Sequence, residues 1–279
     1  MRVDSGAMGG ESVEPPGIVL GTPSGLHLAP IGASFGAVGA RTVGGMTDRV
    51  LLITGASRGL GAATARHAAA AGYRLALVSR RTENLEALTA EIGTDRVLAL
   101  AADVTDWDQV SNAVTAAEQH FGRLDAVFAN AGLLVPTSFF GTGGAEPQRW
   151  RDMILTNVYG PAITARAALP ALAKTKGHLL ITGSVAGRGI RPGNLYSATK
   201  WAVSGLAGSI RAEAVGTGVR VTVVQPGIVD TEMITDEMRA KPKLDPGDIA
   251  RAVLYALEQP PHVDVNEIVI RPTGQDPER

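Results

Sequence analysis

Between about residues 50 and 270 the chain alternates short apolar runs with longer amphipathic or alanine-rich segments. Val50-Leu-Leu-Ile-Thr54 has no polar residue before its last, the pattern of a strand buried on both faces. The same pattern predicts strands at Tyr73–Val78, Arg96–Ala101, Leu124–Ala129, Gly177–Thr182, Val219–Val224 and near Val265–Ile270. Helical periodicity falls between them. It runs from the glycine turn after Thr54 to about Ala71, then over Thr82–Ile92 and Asp106–Phe121. It continues over one long segment from Pro147 to Ala173, a segment through Tyr196 to about Ala214, and Pro246–Glu258. Strands alternating with helices imply parallel pairing and right-handed crossovers. The expected fold is α/β, with one doubly wound parallel sheet of about seven strands and helices on both faces.

Residues 1–45 break this pattern. Gly9-Gly10, Pro15-Pro16, Gly21, Pro23, Gly25, Pro30 and Gly44-Gly45 interrupt every period. The stretch reads as a disordered or irregular extension, or as chain upstream of a working start at Met46. Residues 46–279 are expected to form a single catalytic domain.

Composition narrows the function. The 26 basic and 27 acidic side chains leave a net charge of -1, which supplies no attraction to nucleic acid or to a membrane surface. No apolar run approaches the roughly 20 residues that span a bilayer. There are no cysteines, so disulfides, thiolate catalysis and cysteine-held metal are excluded. A cytoplasmic location is expected. No His/Asp/Glu spacing suggests a metal.

The candidate chemistry begins at Tyr196-Ser-Ala-Thr-Lys200. Tyrosine and lysine four apart share a helical face. An ammonium beside a phenol is expected to lower its pKa from about 10. Such a pair can move a proton on and off an alcohol. A second feature is Gly55-Ala-Ser-Arg-Gly59-Leu-Gly61, between a strand and a helix. Glycines there let the backbone approach a pyrophosphate, and the helix N-terminus offers N–H groups and positive dipole. The second strand runs into Ser79, Arg80 and Arg81, where an NAD-selective site carries an acid. Arg58 and Arg80 would pair with a 2′-phosphate, so NADP(H) is expected in preference to NAD(H). The alternative is a set of solvated surface arginines. Pro161, four residues after Asn157, has no N–H to give the Asn157 carbonyl. That carbonyl would then hold a water, or the proline would only kink the helix.

Together these residues resemble the classical short-chain dehydrogenase/reductase family, over about Thr47 to Ile270. Thr54 to Gly61 is similar to its cofactor turn and Asp103 to its adenine-side acid. Asn130-Ala131-Gly132 is similar to its Asn-Ala-Gly motif, and Pro226-Gly227 followed by Thr231 to its nicotinamide-side loop. Asn157, Ser184, Tyr196 and Lys200 match its catalytic tetrad in order. The resemblance implies a Rossmann-type fold and an oxidoreductase acting on CH–OH with NAD(P). It implies cofactor contacts from Gly55, Ser57, Arg58, Gly59, Leu60, Gly61, Ser79, Arg80, Asp103, Val104, Asn130, Ala131, Gly132, Tyr196, Lys200, Pro226, Gly227, Ile228 and Thr231. Ser184 would hold the substrate oxygen, Tyr196 would exchange its proton, Lys200 would tune Tyr196, and the Asn157 carbonyl would hold a relay water. The ending from Pro260 to Gln275 is similar to that of NADP-dependent 3-hydroxy acid (serine/allo-threonine) dehydrogenases. A homodimer or homotetramer through the helices bearing Asn157 and Tyr196 is implied as well.

The substrate pocket is expected between Leu133–Phe140, Val185–Arg191 and Ile228–Met238, made partly apolar by Phe139, Phe140 and Met233. Arg188 or Arg191 would hold a carboxylate there, or both would be loop surface. Trp107, Trp150 and Trp201 are expected to pack. Two rival functions stand beside the hydroxy-acid reading: a ketone, quinone or 3-oxoacyl reductase of the same family, and a dinucleotide-sensing protein without turnover.

Overall fold

The computed structural model describes residues 48–141 and 143–276. The expected N-terminal extension lies outside the described residues. In chain order the elements are β1 (Val50–Thr54), α1 (Gly59–Ala70), β2 (Arg74–Ser79), α2 (Glu83–Ile92), β3 (Val97–Ala101), α3 (Trp107–Phe121) and β4 (Ala126–Ala129). They continue with α4 (Pro147–Ile154), a π-helical turn (Leu155–Tyr159), α5 (Gly160–Thr175) and β5 (His178–Thr182). A 3-10 turn (Val185–Arg188) precedes α6 (Leu195–Glu213), β6 (Arg220–Pro226), the short α7 (Asp236–Arg239), α8 (Pro246–Leu257) and β7 (Glu267–Ile270).

The seven strands lie in the order β3-β2-β1-β4-β5-β6-β7, and every pairing is parallel. The expected fold class is therefore found. Every residue of β1 is buried, as its unbroken apolar run requires. Its odd and even positions face opposite cores. Val50 and Leu52 join the cluster with α3, α5 and α6, whereas Leu51 and Ile53 join the one with α1, α2 and α8. Strand order reverses between β1 and β4, and the crevice at their C-terminal ends is where such sheets take ligands.

Local chemistry sets the helix ends. Asp106 caps α3 by accepting from the Gln109 N–H, and Gly122 ends it at φ 75°. In α8, the Asp245 carboxylate accepts from the Gly247 N–H and the Asp245 N–H donates to Asp248. Arg220, at the start of β6, donates to the carbonyls of Ala256, Leu257, Gln259 and Val263, closing the C-terminal end of α8.

Two expectations are corrected. The long helix from Pro147 to Ala173 is two α-helices joined by the π turn, in which the Gly160 N–H reaches back to the Leu155 carbonyl. The cause is Pro161, which cannot serve the carbonyl of Asn157 and so breaks the four-residue ladder. Among the tryptophans only Trp150 packs, edge-on to Phe139; Trp107 and Trp201 are 41% and 51% exposed.

Candidate active site

The glycine turn sits at the C-terminal end of β1. Gly55 and Gly59 have φ of 64° and 52°, so both occupy the left-handed region. A Cβ on Gly61 would overlap the Gly55 carbonyl oxygen, so α1 starts hard against the turn. No side chain caps α1, because its N-cap is Arg58, and no acid stands in its first turn. The helix therefore offers bare N–H groups and an uncompensated positive end, which fit an anionic pyrophosphate. Arg58 and Arg80 are exposed, and among the described residues neither has an ion-pair partner. Ser79 is buried and donates its hydroxyl to the Arg81 carbonyl, which shapes the turn that carries Arg80.

Asn130 stitches three strands together at the crevice. Its N–H donates to Thr54 Oγ1 at 3.0 Å and its amide to the Thr54 carbonyl at 3.1 Å, while its Oδ1 accepts from Thr182 at 3.2 Å. The Ala131 N–H also reaches Thr54 Oγ1. Asp103 accepts from the N–H and hydroxyl of Thr105, which folds the end of β3 inward. Val104 packs on the start of α5 near Gly160. On the other side, Gly227 pairs with Ile270, and the Ile228 N–H donates to Gln275 Oε1 at 3.1 Å. Thr231 lies over the glycine turn, with Cγ2 3.4 Å from where a Cβ on Gly59 would stand.

Ser184, Tyr196 and Lys200 converge beyond β5. The Ser184 hydroxyl faces the Tyr196 phenol closely enough to draw its pKa down, donates to the Pro226 carbonyl at 3.5 Å and accepts from the Ala186 N–H at 3.1 Å. Lys200 Nζ lies 5.6 Å from the Tyr196 ring centroid and donates to the Thr182 carbonyl at 2.7 Å. A Cβ on Gly187 would come within 2.6 Å of the Lys200 backbone, so the 3-10 turn packs directly on α6. The expected lowering of the phenol pKa is reversed here. Burial pushes Tyr196 up to about 12, with the Ser184 hydrogen bond and the charge of Arg191 pulling the other way. Burial also pulls Lys200 down to about 8, and its ammonium is held by a carbonyl rather than aimed at the phenol.

The Asn157 side chain is fully engaged. Its Oδ1 accepts from the Leu133 N–H at 2.7 Å, and its amide donates to the Leu133 carbonyl at 2.8 Å and to Thr199 at 3.1 Å. Of the two candidate arginines, Arg188 is paired with Glu267 on β7. Arg191 is half-buried, and its charge reaches Tyr196. Phe139 and Phe140 are 63% and 95% exposed, so they rim the pocket rather than wall it. Met233 does reach it, with its methyl 3.9 Å from where a Cβ on Gly132 would stand. Thr137, Thr182 and Thr199 belong to the site although nothing in the sequence singles them out. No local pattern marks a threonine whose partners lie tens of residues away.

A parallel sheet with this strand order, a bare glycine turn and a Ser–Tyr–Lys cluster defines a Rossmann-type oxidoreductase. The match to the short chain dehydrogenase family spans residues 49–242, and the chain belongs to that family. An uncharacterized oxidoreductase of Staphylococcus aureus (strain USA300) is 38% identical over 230 residues, 81% of this chain and 98% of that protein. An alcohol dehydrogenase of the archaeon Thermococcus sibiricus, solved with 5-hydroxy-NADP, superposes with a TM-score of 0.76. The two are 33% identical, over 83% of this chain and 99% of that one. Serine dehydrogenase from Escherichia coli superposes with a TM-score of 0.73 at 30% identity, over 81% of this chain and 99% of that one.

Proposed function

We propose that residues 46–279 form an NADP(H)-dependent dehydrogenase that interconverts a secondary alcohol and a ketone, acting on 3-hydroxy acids. The observation that carries this reading is the convergence of Ser184, Tyr196 and Lys200 at the C-terminal edge of β5, with Lys200 Nζ 5.6 Å from the Tyr196 ring centroid. Bound nicotinamide supplies or accepts the hydride. Ser184 orients the substrate oxygen. Tyr196 gives a proton to a carbonyl during reduction and takes it from the alcohol during oxidation. With its pKa up at about 12, Tyr196 is protonated at neutral pH, the form that reduction needs. Oxidation needs the phenolate and rises with pH. Lys200 holds the dinucleotide ribose and brings positive charge beneath the phenol. The Asn157 carbonyl, denied the Pro161 N–H, holds the water that carries the proton outward.

Arg58 and Arg80 support NADP(H), since both cations are free to meet a 2′-phosphate and no acid closes β2. Asp103 and Val104 line the adenine side. Asn130 to Gly132 form the floor of the crevice, and Pro226, Gly227, Ile228 and Thr231 line the nicotinamide side. Arg191 supports a carboxylate-bearing substrate: it is the cation beside Tyr196 that Glu267 does not neutralise. The likeness to a serine dehydrogenase points the same way. Exposed Trp201 on α6, with Ile154 and Tyr159 each 42% exposed beside α5, supports a homodimer or homotetramer through these helices. The cysteine-free chain suits the cytoplasm.

Initial rates with NADP+ and NAD+ test this over L-serine, L-allo-threonine, 3-hydroxyisobutyrate and neutral secondary alcohols. NADP+-dependent oxidation of the hydroxy acids is expected. Oxidation of neutral alcohols alone would remove the hydroxy-acid assignment, and turnover with NAD+ alone would remove the 2′-phosphate reading.

A further inference from the structure

The loop after β4 is tied to α6 at two points, one on each side of Tyr196. On the C-terminal side Asn157 grips both Leu133 and Thr199, and the Thr199 hydroxyl donates to the Tyr196 carbonyl at 2.7 Å. On the N-terminal side the tie runs through the Thr137 side chain. The Thr137 hydroxyl donates to the Gly193 carbonyl and accepts from the Leu195 N–H at 3.0 Å. Leu195 is the first residue of α6, so its N–H has no partner within the helix. Asn194, the N-cap, serves the Ser197 N–H instead. The residue immediately before Tyr196 is thus held from a loop 58 positions upstream.

The rest of the connection into α6 is held lightly at that end. Its start is secured by α6 itself, since Ser197 and Trp201 both donate to the Gly189 carbonyl. Ile190 is 96% exposed, and Gly193, at φ 64°, turns the chain into the helix without a side chain of its own to pack. Without Thr137 the Leu195 N–H and the Gly193 carbonyl would turn to water, and the start of α6 would be held only from Ser197, which Asn194 caps and which donates to the Ala186 and Gly189 carbonyls, leaving the backbone just before Tyr196 looser.

We propose that Thr137 is a positioning residue: by bonding Gly193 and Leu195 it fixes the first turn of α6 and thereby the direction in which Tyr196 meets Ser184. The assignment rests on Tyr196 being the acid/base group. It requires one hydroxyl that donates and accepts at once, which serine supplies and valine does not.

The test compares Thr137→Val, which keeps the shape of the side chain, with Thr137→Ser, which keeps the hydroxyl. Thr137→Val should lower kcat about tenfold through misplacement of the reacting group. The pH profile of kcat should move, and NADPH affinity, read by fluorescence, should stay within about twofold, since Tyr196 alone among the residues proposed to contact the cofactor is displaced, while Lys200 stays bonded to the Thr182 carbonyl. Thr137→Ser should return kcat to near the wild-type value. A valine variant with wild-type kcat and pH profile would overturn the assignment. So would serine and valine variants equally impaired, or a loss of kcat matched by equal losses of NADPH binding and thermal midpoint. A wild-type chain with no turnover would overturn the acid/base reading and this assignment together, whereas an active wild type beside an unimpaired valine variant would overturn this assignment alone.

Discussion

Replacing Tyr196 with phenylalanine is expected to lower kcat by about a thousandfold, within the range that a positioned acid or base contributes. Dinucleotide affinity should stay within about threefold, because the ring remains and only the hydroxyl is lost. The substitution removes the hydroxyl proposed to exchange a proton with the substrate oxygen, beside Ser184. The Lys200 ammonium is committed to the Thr182 carbonyl, so it is not expected to take over. Steady-state rates paired with fluorescence titration of NADPH measure both quantities. A phenylalanine variant with near-wild-type kcat would remove Tyr196 from the reaction. In the wild type, oxidation should gain rate with rising pH, because burial holds the phenol protonated up to about 12 in the free protein. The positive charge of an oxidised nicotinamide would bring that limb lower in the loaded enzyme.

The double substitution Arg58→Ala with Arg80→Ala is expected to raise the KM for NADP+ about a hundredfold, from the loss of two charge-assisted pairs worth about 1.5–3 kcal/mol each that are not fully additive. The KM for NAD+ should change no more than about threefold, since NAD+ has no 2′-phosphate for either guanidinium to meet. Both side chains are exposed and outside the packed core, so the fold should be untouched. Initial rates against each dinucleotide separate the effects. Equal loss for NADP+ and NAD+ would assign the arginines to general attraction of phosphate, and no loss would make them surface residues.

The parts of this fold that depend on short-range pattern are legible in the order of residues. β1 can be read because a strand covered on both faces must be apolar throughout. The glycine turn can be read because its φ values and close approach admit little else. The break after Asn157 follows from Pro161, although the residues alone suggest a kink in one helix and not a π turn between two. What is illegible depends on distant partners. The phenol pKa moves up because burial outweighs the neighbouring cation, and burial is a property of the packed site. Arg188 looks equivalent to Arg191 until β7 brings Glu267 against it, 79 positions away in sequence. Pro161 points to the Asn157 carbonyl, yet it is the Asn157 side chain that holds Leu133 and Thr199. Thr137 carries no sequence signal at all.

The central claim is hydride transfer between a nicotinamide and a carbonyl carbon, with the proton passing through Tyr196. The most direct measurement uses NADPH bearing deuterium at the transferable nicotinamide position and a panel of 3-oxo acids and ketones, with the products read by mass spectrometry. The account predicts one deuterium on the carbinol carbon of the product, a hydroxyl proton drawn from solvent, and loss of both in Tyr196→Phe. No NADPH consumption with any member of the panel, or a product carrying only solvent hydrogen, would contradict it.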